Sequence, residues 1–212
     1  MNKIIEWTSY AGFYTRFHSL SNSSASPQMS PSPRAFADAT LPPSPWVARF
    51  LALVRPGGLV LDLAAGAGRH VRLLRSHGFA VRAVDRDISE LCSLAATGCD
   101  ITEIDLESGA GWSLGGGYDG IVVTSYLYRP LLPAIAAALA PGGIVIYETF
   151  ALGNERFGQP RNPDFLLHPG ELLEAFAGLT IVAFEQGEVV RPRPAMIQRI
   201  AARAGPPGDL PE

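Results

Sequence analysis

What most restricts the folding of this 212-residue chain is an alternation that runs from residue 59 to residue 150. Short, mainly apolar runs at Leu59 to Leu63, Val81 to Asp85, Ile101 to Asp105, Gly120 to Thr124 and Ile144 to Phe150 read as strands. The stretches between them, Gly68 to His77, Ile88 to Ala96 and Leu131 to Leu139, carry helical periodicity, and Gly78 stops the first of them. A strand that is apolar without a regular polar alternation is covered on both faces, so the pattern predicts a doubly wound α/β fold: a mostly parallel sheet with helices on either side. Ser44-Pro45 opens a helix over "WVARFLALV", with serine as N-cap and proline in the first turn. Beyond residue 150 the pattern predicts a helix at Glu171 to Phe176 and strands at Leu179 to Glu185 and Ile197 to Ala202. The last two strands are joined by "QGEVVRPRPA", which has no helical pattern. A link so short joins only antiparallel neighbours, so the final strand is expected to run against the others.

In an open sheet of this kind, ligands sit at the carboxyl ends of strands, where the strand order reverses. The segment "VLDLAAGAGRHVRLL", residues 60 to 74, supplies such an end. Gly66 and Gly68 let the backbone approach a ligand closely, and the helix start beyond them favours an anionic group. A dinucleotide fingerprint needs a third glycine, and Val71 stands in its place. A nicotinamide oxidoreductase is therefore the weaker reading. Three acids are more informative. Asp62 lies inside the first strand, placed to receive an ammonium group or to accept the loop's backbone N–H groups. Asp85 closes the second strand and suits a ribose diol, and Asp105-Leu106 closes the third and suits an adenine. Taken singly, each acid also reads as a helix cap or a solvated strand end. Their order, however, is that of one ligand carrying an amino acid, a diol and an adenine.

The successive segments "VLDLAAGAGRH", "VRAVDRD", "ITEIDLE", "YDGIVVTSYLYRP" and "LAPGGIVIYETF" resemble, in order and spacing, the motifs of class I S-adenosylmethionine-dependent methyltransferases over residues 45 to 202. The resemblance implies a Rossmann-like sheet and S-adenosyl-L-methionine as cofactor. In it Gly66 and Gly68 pass the methionine part, Asp85 holds the ribose hydroxyls, and Asp105 with Leu106 brackets the adenine. The expected cofactor-binding set is Asp62, Ala64, Ala65, Gly66, Gly68, Asp85, Arg86, Asp105, Leu106 and Thr124. Ala65 departs from the Cys or Gly of many relatives but keeps a small residue. Within the superfamily, "NERFG...NPDFLL...GELL" is similar to a small bacterial group related to tellurite-resistance and thiol methyltransferases.

The acceptor of the methyl group is less legible. Residues 124 to 130 offer one wall, with Tyr126 and Tyr128 to pack or donate and Arg129 to pair with an anion. Thr124-Ser125-Tyr126-Leu127 replaces the Asn-Pro-Pro-Tyr of base N-methyltransferases. Residues 147 to 176 offer a second wall, in which Glu148 is the candidate base or orienting group and Arg156 the candidate anion clamp. Tyr126, Glu148 and Arg156 are thus the expected catalytic residues. Arg69 and His70 read as loop-bracing or surface residues.

A net charge of -3 and a pI near 5.8 weigh against sequence-independent nucleic-acid binding, which needs a basic surface. A small-molecule acceptor is expected. RNA or protein is the alternative, resting on the arginines of "RPRPAMIQR" (191 to 199), which also read as a guarded hairpin edge. A non-catalytic binder of the same cofactor ranks lower. Cys92 and Cys99 stand seven apart without a second pair, so no metal site is expected, and a reducing cytoplasm suits them. The longest apolar run, Leu131 to Tyr147, is broken by Pro133, Pro141, Gly142 and Gly143, so no membrane span is expected. Residues 1 to 43, rich in Ser and Pro, are expected to form a disordered tail. Its aromatic cluster, Trp7 to Phe17, reads as a docking helix or as sequence upstream of the true start. Residues 44 to 204 are the expected domain and 205 to 212 a flexible C-terminus.

Overall fold

The computed structural model describes residues 41–109 and 113–206. The expected tail therefore lies, up to residue 40, outside the described residues, as does most of the expected C-terminal segment. Helix α1 (Pro45–Phe50) begins as the sequence predicts: the Ser44 hydroxyl accepts the N–H groups of Trp46 and Val47, and Pro45 occupies the first turn. One turn of 3-10 helix, Leu51–Leu53, carries it into β1 (Leu59–Leu63). There follow α2 (Arg69–Ser76), β2 (Ala80–Asp85), α3 (Cys92–Ala95), β3 (Asp100–Glu103) and β4 (Tyr118–Thr124). The chain continues through α4 (Leu132–Ala138), β5 (Leu139–Phe150), α5 (Glu171–Ala175), β6 (Thr180–Val189) and β7 (Ala195–Arg203).

The seven strands form one sheet in the order β3-β2-β1-β4-β5-β7-β6. Strands β1 to β5 pair in parallel, while β7 inserts antiparallel between β5 and β6. Each face has its own core. Leu61, Leu63, Val145 and Tyr147 pack on the side of α4, and Val60, Ile144 and Ile146 pack with Trp46, Phe50, Val71 and Leu74 on the other. Successive side chains of one strand thus enter opposite cores, which is why the strands read as continuously apolar. The order reverses between β1 and β4, so the crevice at their carboxyl ends is the topological switch point. Among the described residues no helix is long and apolar enough to cross a membrane.

Several boundaries differ from those the sequence predicts: β4 begins at Tyr118, β6 runs on to Val189 and β7 begins at Ala195, and three further differences have a local explanation. Only Cys92–Ala95 of the helix expected at Ile88 to Ala96 is α-helical. The Asp87 carboxylate accepts the Ser89 N–H and Leu91 bonds back to Ile88, so local turns compete with the helix start. Strand β3 stops at Glu103, which leaves Asp105 in the turn beyond it. Strand β5 starts at Leu139, because Leu139 already pairs with Tyr118, and the register shifts across Pro141 and Gly142 rather than the strand starting after them.

Candidate functional site

A cavity of about 570 Å³ opens above the carboxyl ends of β1, β2, β4 and β5, within the size range of small-ligand sites. Its floor is the turn after β1, which is held by backbone and side-chain bonds. Ala65 N–H donates to Val84 O at 3.0 Å, Gly68 N–H to Ala65 O at 2.9 Å, and Gly66 N–H to Asp85 Oδ2 at 2.7 Å. Gly68 is required at the helix start. Its φ of +76° is left-handed, and an added Cβ would lie 2.7 Å from Leu94 Cδ1 and 2.8 Å from Leu91 Cδ2. Two residues other than glycine adopt positive φ among the described residues, Ala64 (+56°) and Ser125 (+56°), and both line this cavity. Such conformations cost about 1–3 kcal/mol each and persist where surrounding structure enforces them, so the strain is concentrated at the crevice.

Asp85 also accepts the Asp87 N–H through Oδ1 at 3.1 Å, so its carboxylate is fixed from two sides while still facing the cavity. Asp105 is fixed likewise, with Oδ1 accepting Glu107 N–H at 3.0 Å, and the buried Leu106 follows it in the wall. Ala64, Gly66, Arg86 and Thr124 complete the part of the expected cofactor set that lines the cavity. Ala65 and Gly68 lie beneath it in the turn, and Asp62 is sealed behind it, 1% exposed. Asp62 Oδ2 has no hydrogen-bond partner, while the Val71 N–H bonds the same carboxyl group.

Burial pushes the Asp62 carboxyl up to about 7; Arg69 opposes the shift and the Asp85 charge adds to it. An acid whose folded pKa exceeds its unfolded value takes up a proton on folding. The fold therefore loses stability as pH rises from 3.8 towards about 7. Asp62→Asn is expected to melt several degrees above the wild type at pH 8, with the two melting temperatures converging near pH 4. Melting curves across that range check it, and a constant difference at all pH values contradicts the assignment.

The opposite side of the cavity is made by Thr149 and Phe150 of β5, Gln159 and Phe165 of the following loop, and Arg193 of the β6–β7 connection. The Arg193 guanidinium lies 5.8 Å from the centre of the Phe150 ring and forms no ion pair among the described residues. Between the two halves stands Tyr126, whose hydroxyl is buried beside the Glu107 carboxylate. Its burial, and after that the nearby charge of Glu107, push its pKa up, so the phenol remains a donor.

Several expected residues lie elsewhere. The pleat of β5 turns Glu148 onto the face covered by α1, where Ser44 Oγ donates to Oε1 at 2.9 Å and Arg199 pairs with Oε2 at 3.1 Å. Glu148 is occupied there and does not line the cavity. Arg156 pairs with Glu188 at 2.7 Å on an exposed surface and stacks on Phe157, again outside the cavity. Arg129 forms a two-pronged pair with Glu171 and donates to the carbonyls of Asp164 and Leu166, which makes it a brace. Tyr128 packs against the core. His70 is a brace as well: buried, it accepts the Ser44 N–H at 3.0 Å and reaches Thr124 Oγ1 at 3.3 Å. The arginines of 191 to 199 form no continuous basic strip, since Arg193 lines the cavity while Arg199 is held by Glu148 and Glu185 beside Trp46. Among the described residues no group of His, Cys, Asp and Glu is arranged to hold a metal ion.

No family model and no curated protein matches this sequence. Solved structures do match. TehB from Haemophilus influenzae superposes with a TM-score of 0.60 at 21% identity, over 74% of this chain and 60% of TehB. This chain thus spans about three fifths of the TehB length. An S-adenosylmethionine-dependent methyltransferase from Mesorhizobium loti gives 0.56 at 21% identity, over 72% of this chain and 94% of that one. The fold is that of S-adenosylmethionine-dependent methyltransferases. The [4+2]-cyclase SpnF is also similar, with a TM-score of 0.56 at 16% identity over 77% of this chain and 79% of its own. Within the methyltransferase fold, cavity residues that sequence reasoning did not single out, although it bracketed their segments, include Ser125, Thr149, Gln159 and Arg193. Ser125 is distinguished by its backbone conformation, and Arg193 arrives only because β7 inserts beside β5. Neither fact leaves a mark on the local sequence.

Proposed function

We propose that this chain is an S-adenosylmethionine-dependent methyltransferase acting on a small-molecule acceptor. The observation that carries the reading is the fixed pair of carboxylates, Asp85 and Asp105, on neighbouring strand ends around one cavity. The fold alone is insufficient, since it also serves a cyclase. In sheet order β3-β2-β1, the Asp105-Leu106 turn suits an adenine, Asp85 a ribose diol, and the 64–68 turn the amino-acid end. Each carboxylate oxygen of Asp85 retains a lone pair beyond the backbone N–H it accepts, so it receives hydroxyls without releasing the loop. The bound cofactor would supply a methyl group on a sulfonium for in-line transfer. The chain's task is then mainly orientation.

Phe150 and Phe165 offer apolar contact to the acceptor, Tyr126 offers a hydroxyl donor, and Arg193 offers a cation for an anionic group. Against an RNA or protein acceptor stands the separation of Arg193, exposed at the cavity, from Arg199, which is held in ion pairs with Glu148 and Glu185, so the second reading lacks the continuous basic strip it relied on. Calorimetry with S-adenosylhomocysteine and with a nicotinamide dinucleotide tests the cofactor, with binding expected only of the first. Incorporation of label from methyl-labelled donor into a small-metabolite extract, total RNA or cell protein tests the acceptor, and the metabolite fraction is expected to carry the label. Label confined to RNA or protein overturns the small-acceptor reading.

A further inference from the structure

We infer that His70 is a positioning residue which sets the Thr124 hydroxyl as a hydrogen-bond donor to the carboxylate at the amino-acid end of the cofactor. The inference rests on the cofactor reading above and adds to it a residue that lies behind the cavity wall. The Ser44 backbone N–H donates to His70 Nε2 at 3.0 Å. A main-chain amide has only a hydrogen to offer, so Nε2 must present its lone pair. The imidazole is neutral, because burial and then the Arg69 charge push its pKa down to about 3. With Nε2 unprotonated, the ring proton resides on Nδ1.

That tautomer decides what Thr124 does. Nδ1 lies 3.3 Å from Thr124 Oγ1, and with the proton on nitrogen the threonine oxygen accepts. The hydroxyl hydrogen is therefore turned away from the histidine, and it meets no other acceptor among the described residues. Thr124 is the last residue of β4 and lines the cavity. Its predecessor Val123 pairs with Leu63, the last residue of β1, so Thr124 flanks Ala64 across the β1–β4 seam. This seam is the switch point, next to the turn assigned to the amino-acid end. A free O–H at that place is satisfied by a carboxylate oxygen. Ser44 holds the imidazole from the far side, and its own hydroxyl is tied to Glu148. The tautomer is thereby fixed by α1 and β5 together.

Two nucleoside probes separate this role from a purely structural one. S-adenosylhomocysteine carries the amino-acid end, and 5′-methylthioadenosine lacks it. Thr124→Val is expected to weaken binding of S-adenosylhomocysteine by about 10- to 100-fold, the range for a hydrogen bond to a charged group. It should leave 5′-methylthioadenosine binding within about twofold. His70→Phe should reproduce that split, and His70→Asn, which keeps a donor near the Nδ1 position, should restore most of the loss. In the double variant the two losses should not add, because both remove one donor. Equal loss of both probes, or no loss of either, overturns the inference and leaves His70 as a brace only; should His70→Phe fail to fold, Thr124→Val alone decides. If the wild-type protein binds 5′-methylthioadenosine but not S-adenosylhomocysteine, the inference fails while the nucleoside site stands. Binding of neither by the wild type removes the cofactor reading and the inference with it.

Discussion

Asp85→Ala is expected to weaken binding of S-adenosylhomocysteine by about 100-fold or more, the largest effect of any single change in the cavity. Two contributions combine. The ribose diol loses an ionised acceptor for both hydroxyls, at about 1.5–3 kcal/mol for each such bond. The turn after β1 also loses the oxygen that receives Gly66 N–H at 2.7 Å, so the floor of the cavity is no longer held in its strained shape. Asp85→Asn separates the two, because the amide oxygen can still accept from Gly66 while the charge and one acceptor are gone. It is expected to bind between the wild type and Asp85→Ala. Titration calorimetry on the three proteins, with melting curves to confirm that each is folded, measures the series. Wild-type affinity in Asp85→Ala would remove the ribose assignment and with it the main support for the cofactor.

The turns that line the proposed cofactor side of the cavity were legible in the sequence and most of the opposite wall was not, and the reason lies in how each is built. Gly66, Gly68, Asp85 and Asp105 lie at or just beyond consecutive strand ends, each located by its own apolar run. Finding the strands locates the turns, even though β3 ends two residues before Asp105. Tyr126 follows directly from the end of β4 by the same logic. Glu148 shows where the logic stops. It sits near a strand end, but the face it points to is set by the parity of β5, and Ile144 and Ile146 on that same face pack in the core with Trp46 and Phe50 of α1. A period-two pattern cannot be read in a strand that is apolar on both faces. Arg156 and Arg193 fail in the opposite direction. Both lie outside regular helices, so no periodicity assigns them. Only the insertion of β7 between β5 and β6 decides that Arg193 overlooks Phe150, while Arg156 meets Glu188.

Arg129→Ala tests how the acceptor wall is held. Its guanidinium bonds Glu171 at 2.7 and 3.0 Å and the carbonyls of Asp164 and Leu166 at 2.6 and 2.9 Å, so it ties the end of β4 to the 163–166 turn that carries Phe165. Removing it strands a carboxylate that is only 16% exposed and leaves two carbonyls without this donor. The expected loss of stability is about 2–3 kcal/mol, reduced from that of a fully buried pair because Arg129 itself is 36% exposed. The pH dependence carries the signature. Burial works to raise the Glu171 pKa, but the Arg129 bond and the His168 N–H outweigh it and hold the carboxyl below its ordinary value. A depressed acid contributes stability that is present above its unfolded pKa, and this is lost as pH falls through the folded one. The gap in melting temperature between wild type and variant should therefore be full at neutral pH and should narrow as the solution is acidified below the ordinary glutamate range. Binding of S-adenosylhomocysteine should stay within about twofold of wild type, because the turns after β1, β2 and β3 are untouched. Methyl transfer to the acceptor should fall. A variant that loses cofactor affinity as strongly as transfer would show that the two halves of the cavity are not independent, since the 163–166 turn would then be supporting the cofactor floor as well as the acceptor wall.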